Sequence, residues 1–147
     1  MPDGIKIVFS GLTEALQLLG NAGPAFIRHA ARGVYMEAEA VMARSKDEFV
    51  PVDTGTLKGT GHVQKATIST NGFEVILGYG GPDAPYALAV HENPRAGKTG
   101  GINPGGTRRK HWAEVGQWKY LETPLIEAAP NIRAVIENAV VQAFTYE

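Results

Sequence analysis

The chain has 147 residues, 44% of them hydrophobic, with 14 lysines and arginines against 15 acidic residues and no cysteine. A chain of this length buries about two-thirds of the surface its unfolded form exposes, so a packed core is within reach without staples. The lack of cysteine excludes thiolate nucleophiles, cysteine-ligated metals and disulfide frameworks, and a formal charge of -1 is unlike that of a uniformly basic nucleic-acid binder.

Ile5, Ile7 and Phe9 alternate with Lys6, Val8 and Ser10, the period of a short strand that Gly11 ends. Leu12, Ala15, Leu16 and Leu19 then repeat at helical spacing, and Gly20-Asn21 closes that helix. Pro24 suits the first turn of the next one. From there Ile27, Ala31, Val34, Ala38, Val41 and Phe49 predict a stripe along a helix of about seven turns that stops before Pro51.

Residues 57–80 read as a β-hairpin turning at Asn71-Gly72, with Phe73, Val75, Leu77 and Tyr79 on the face that helices cover. Gly78 and Gly80 mark the end of its second strand or a bulge in it. The run 86–92 after Pro85 predicts a helical turn. Residues 93–117, with two prolines and six glycines, read as a long loop. Within 93–112 lie Arg95, Lys98, Arg108, Arg109 and Lys110 and no acid. The near-neutral total therefore splits into a basic arm and an acidic remainder. Thr123 and Pro124 open a last helix, which Pro130 is expected to kink or restart, and Ile132, Val135, Ile136, Ala139, Val140, Ala143 and Phe144 give it an apolar face.

These elements predict an α+β fold, a small antiparallel sheet packed by two long helices, in a single domain over 1–147 with 93–117 as an extended, mobile basic loop. No run of about 18 apolar residues occurs, and no cationic lead precedes an apolar stretch at the start, so a protein made in a cytoplasm and free of membranes is expected.

Four segments carry residues capable of chemistry or binding. Asp53-Thr54-Gly55 resembles the triplet of an aspartic protease, but those enzymes are all-β and this triplet follows a helix. A turn explains it more cheaply, with Asp53 accepting backbone N–H bonds and Gly55 taking a positive φ. Gly97-Lys98-Thr99 has Glu92 where a P-loop needs glycine. The histidines at 29, 62, 91 and 111 lack metal-ligand spacing, so neither a metal nor a cofactor is expected. The basic arm is either a solvated loop or an arm that orders against an acidic partner or a phosphate backbone. In the second reading Arg95, Lys98, Arg108, Arg109 and Lys110 supply charge, and Trp112 and Trp118 supply anchors.

The run Pro51-Val52-Asp53-Thr54-Gly55-Thr56-Leu57-Lys58 after a long amphipathic helix is the most specific element of a wider resemblance. With Gly11-Leu12, Tyr86-Ala87, Glu92, the glycine-rich loop and Tyr120-Leu121 before Pro124, the chain resembles the head-tail joining or tail-completion proteins of long-tailed bacteriophages. It departs from them at Asn93-Pro94, where glycine commonly follows the acid, and at Glu122-Thr123, where a basic residue is more usual. The resemblance implies a non-enzymatic virion protein, assembled in the bacterial host cytoplasm as a ring, of hexameric order, at the head-proximal end of the tail. Its partners would be further copies, tail and connector proteins, and DNA passing through the channel without sequence preference. The alternative is a sequence-independent DNA-binding module that uses the basic loop.

Overall fold

The computed structural model describes residues 19–52, 55–70, 72–94, 96–97 and 116–145. The strand expected at 5–9, nearly all of the helix expected at 12–19 and most of the basic loop lie outside them. A single 3-10 turn, Gly20–Ala22, leads into helix α1, Gly23–Arg44, with Pro24 in its first turn. The buried face of α1 is wider than one stripe, because Phe26, Ala30 and Met42 are buried beside Ile27, Ala31, Val34, Ala38 and Val41. The cause is a helix packed on two sides, against the C-terminal helix and against the strands. Fully burying each large apolar side chain contributes about 1.5 to 3 kcal/mol, so α1 holds the core together.

A π-helical turn, Ser45–Phe49, ends α1: the Val50 N–H donates to the Ser45 carbonyl five residues back. Val50 then turns extended, as the residue before a proline must. Gly55 takes a φ of 90°, the left-handed conformation expected of it. The chain does not pass directly into a strand, however. A short helical turn, α2, Thr56–Gly59, comes first and buries Leu57.

The hairpin is correct in outline and different in detail. Strand β1, His62–Val63, pairs antiparallel with β4, Leu77–Gly78, and inside that pair β2, Thr67–Ser69, pairs with β3, Gly72–Glu74. Because Ser69 pairs with Gly72, Gly72 belongs to the second strand and not to the turn, where the dipeptide Asn71-Gly72 suggests it. Phe73, Val75, Leu77 and Tyr79 are all buried, as the alternation predicts.

After the expected helical turn, α3, Ala87–His91, the last helix α4 spans Glu122–Thr145. It runs unbroken through Pro130, in contrast to the expected interruption. Pro130 is exposed, so the carbonyl that loses its N–H partner can turn to water. α4 lies antiparallel to α1: Arg44 Nη1 meets Glu127 at one end, and Gly33 faces Val135 further along. A β-carbon on Gly33 would overlap the Val135 side chain, so glycine sets how closely the helices approach. The fold is α+β. Among the described residues, no helix is long and apolar enough to cross a membrane.

Candidate interaction site at the base of the basic loop

The residues flanking 98–115 are held side by side. Gly97 forms an antiparallel bridge with Gln117, and the Gln117 N–H donates to the Phe49 carbonyl at 2.8 Å. Gly97 and Gly116 both have positive φ, 73° and 91°. A β-carbon on Gly116 would lie 2.5 Å from the backbone of Val50 and Pro51. Only glycine lets these three backbone segments meet at this distance. The proline-led motif at 51–57 and the basic loop, separated by some forty positions in sequence, thus share one junction.

Beside this base, the turn into α4 is clipped to α3. Lys119 has a φ of 52°, rare for a residue with a side chain, and its N–H donates to the His91 carbonyl at 2.7 Å. Its ammonium lies 2.6 Å from Glu92 Oε2 and 3.0 Å from Glu122 Oε2. These ion pairs offset the backbone cost. The Lys119 and His91 hydrogen bonds, the lysine's first, hold the Glu92 carboxyl below the ordinary carboxylate range. The two carboxylates raise the Lys119 ammonium. The Glu92 contribution is present above the ordinary carboxylate range and is lost as pH falls through the lowered pKa. The Lys119 contribution is present below the ordinary lysine range and is lost as pH rises through its raised pKa.

His91 is 3% exposed and has both ring nitrogens engaged: Nδ1 donates to Glu92 Oε1 at 2.9 Å, and Nε2 accepts the Glu122 N–H at 3.3 Å. His91, Glu92 and Glu122 bring three ligand-type atoms within 4.8 Å of one another, enough to suggest a metal centre. The donors are already engaged, however. An ammonium neutralises the carboxylates, and a backbone N–H occupies the imidazole lone pair. The cluster ties two elements together.

Beneath it, Tyr120 is fully buried, edge-on to Tyr79 and to His91, each with ring centroids 5.0 Å apart. The Tyr120 hydroxyl donates to the Ala87 carbonyl at 2.6 Å. Ser45, on the π turn, donates to the Tyr120 carbonyl and shares a hydrogen bond with the Tyr79 hydroxyl at 2.8 Å. Burial pushes the Tyr79 phenol up to about 12 and raises Tyr120 as well. Both phenols are raised in the folded chain, so unfolding releases protons once pH exceeds about 10 and stability falls from there upward. Urea melts at pH 7, 10 and 11.5 are expected to show a steep loss above pH 10 that Tyr79→Phe makes shallower.

Of the residues assigned to interaction from sequence, Trp118 is described: it is 38% exposed at the loop base, with Lys119 Nζ 5.6 Å from its ring centroid. Arg95, Lys98, Arg108, Arg109, Lys110 and Trp112 lie outside the described residues, as do Asp53 and Thr54 of the turn motif. Pro51 and Leu57 are buried and Gly55 is half-buried, a structural setting for the motif. Sequence reasoning missed Ser45, Lys119 and the role of His91, since their partners are distant along the chain. The His91-Glu92 dipeptide was the one visible signal. No protein-family model, curated protein or solved structure gives a significant match to the chain.

Proposed function

We propose that this chain is a structural protein of a tailed bacteriophage or prophage, without enzymatic activity, which forms a ring at the head-tail junction or the head-proximal end of the tail. The reading begins with the resemblance carried by residues 51–58, and the observation that supports it is the junction those residues make. Pro51, at the head of the motif, lies with Val50 against Gly116, which in turn lies against Gly97 at the root of the basic segment. A ring needs a heterologous contact, one surface of a subunit against a different surface of the next. A cationic segment fixed at its root to a body that carries the compensating acid supplies two such surfaces. Half-exposed Trp118, next to the root of that segment, is available to such a contact.

The test is mass photometry of the full chain, alone and mixed with the tail-tube protein of the same phage. Rings are expected, and replacing Lys98, Arg108, Arg109 and Lys110 together with alanine should weaken assembly by about tenfold or more while leaving the melting curve in place. A chain that never assembles beyond small oligomers in either mixture overturns the reading. Salt-steep binding of duplex DNA by the monomer would replace it with the DNA-binding module.

A further inference from the structure

The outward face of α4 is unusual in its symmetry. Ile126, Val141 and Phe144 are 62%, 64% and 60% exposed, and Arg133 and Glu137 are exposed between them. At the helical period these residues fall within one side of the helix, opposite the face of Ile132, Ala139 and Ala143 that packs inward. They are also mirrored about Val135. Ile126 and Phe144 stand nine positions before and after it, and Arg133 and Glu137 two positions before and after it. Arg133 and Glu137 form no ion pair with any described residue, although they sit four apart on one helix, in the less favourable order with the base first.

We propose that this face pairs with the same face of a second copy, helix antiparallel to helix, about a two-fold axis level with Val135, whose own side chain faces α1. An antiparallel two-fold brings each position against its mirror position. Arg133 then meets the second copy's Glu137, and its own Glu137 meets the second copy's Arg133. Ile126 packs on Phe144 at both ends, and Val141 reaches the apolar region around Pro130. One axis thus places two opposite-charge pairs at the centre and two apolar pairs outside them, so that charge complementarity and apolar burial favour the same register. A parallel pairing or a shift of one turn sets Arg133 beside an apolar residue or a like charge, so the pattern also selects the register. This contact is isologous and closes at two copies. It uses a surface other than the loop base and stands or falls independently of the ring.

The test is sedimentation equilibrium of the full chain across a hundredfold concentration range, about the span needed to resolve a monomer-dimer Kd. The wild-type chain is expected to dimerise. Arg133→Glu and Glu137→Arg, taken singly, set like charges face to face at both pairs and should each weaken the dimer by about a hundredfold. The double reversal Arg133→Glu with Glu137→Arg restores complementarity and should recover most of the affinity. Circular dichroism melts show whether each variant stays folded, since both side chains are exposed and make no described ion pair. A wild-type monomer at every concentration overturns the proposal. So do a dimer indifferent to either single reversal and a single-reversal loss that the double reversal fails to repair.

Discussion

Replacing Tyr120 with alanine is expected to cost about 3 to 5 kcal/mol of folding stability, the range for removing a large aromatic from a core. The site argues for the upper end. Tyr120 is fully buried and edge-on to two rings, and its hydroxyl is the partner of a buried carbonyl on α3. Tyr120→Phe separates the contributions: it keeps the ring contacts and orphans only the Ala87 carbonyl, so about 1 to 2 kcal/mol should be lost. Urea denaturation of the three proteins at pH 7 measures both. A loss for the alanine variant no greater than that for phenylalanine would mean that the ring packing contributes little and that the turn into α4 is held by the ion pairs alone.

Gly116→Ala should be nearly as damaging, for a backbone reason. Its φ of 91° costs a residue with a β-carbon about 1 to 2 kcal/mol. The new carbon would also lie 2.5 Å from three backbone atoms of Val50 and Pro51, which cannot rotate away as a flexible side chain can. Overpacking of that kind typically adds about 1 to 3 kcal/mol. Gly20→Ala is the matched control, because Gly20 also has a positive φ, of 56°, but open space around it, and should lose only the conformational share. Thermal melts of the two variants check the difference. Equal losses would show that the loop base adjusts and that glycine is present at 116 for its φ alone.

What the sequence made legible follows from local physics. Alternation along 73–79 and the apolar repeat of α1 and α4 depend on neighbours a few residues apart, and all three hold in the α+β frame, except that Phe144, expected on the packed face of α4, is 60% exposed on its outer side. The positive φ at Gly55 was likewise foreseeable, because one residue type dominates that conformation. The errors came where two local rules competed or a distant contact decided. Asn71-Gly72 is a strong turn signal, yet Gly72 pairs with Ser69 and belongs to the second strand. Pro130 ought to interrupt a helix, yet on the exposed side water can take the freed carbonyl. The candidate site was half visible. Trp118 follows Gly116 closely in the chain, but nothing local joins residues 51–57 to Gly97 and Gly116. That junction exists only through contacts between residues far apart in sequence, as does the His91, Glu92, Lys119, Glu122 clip.

The bridge between Gly97 and Gln117 has one more consequence, for variation and engineering. Because Gly97 and Gln117 are bridged, the body holds the two ends of the intervening span side by side. Closure entropy grows slowly with loop length, by about 0.6 kcal/mol for each doubling. On closure entropy alone, lengthening the span between these two anchors is therefore a small cost to the helices and strands.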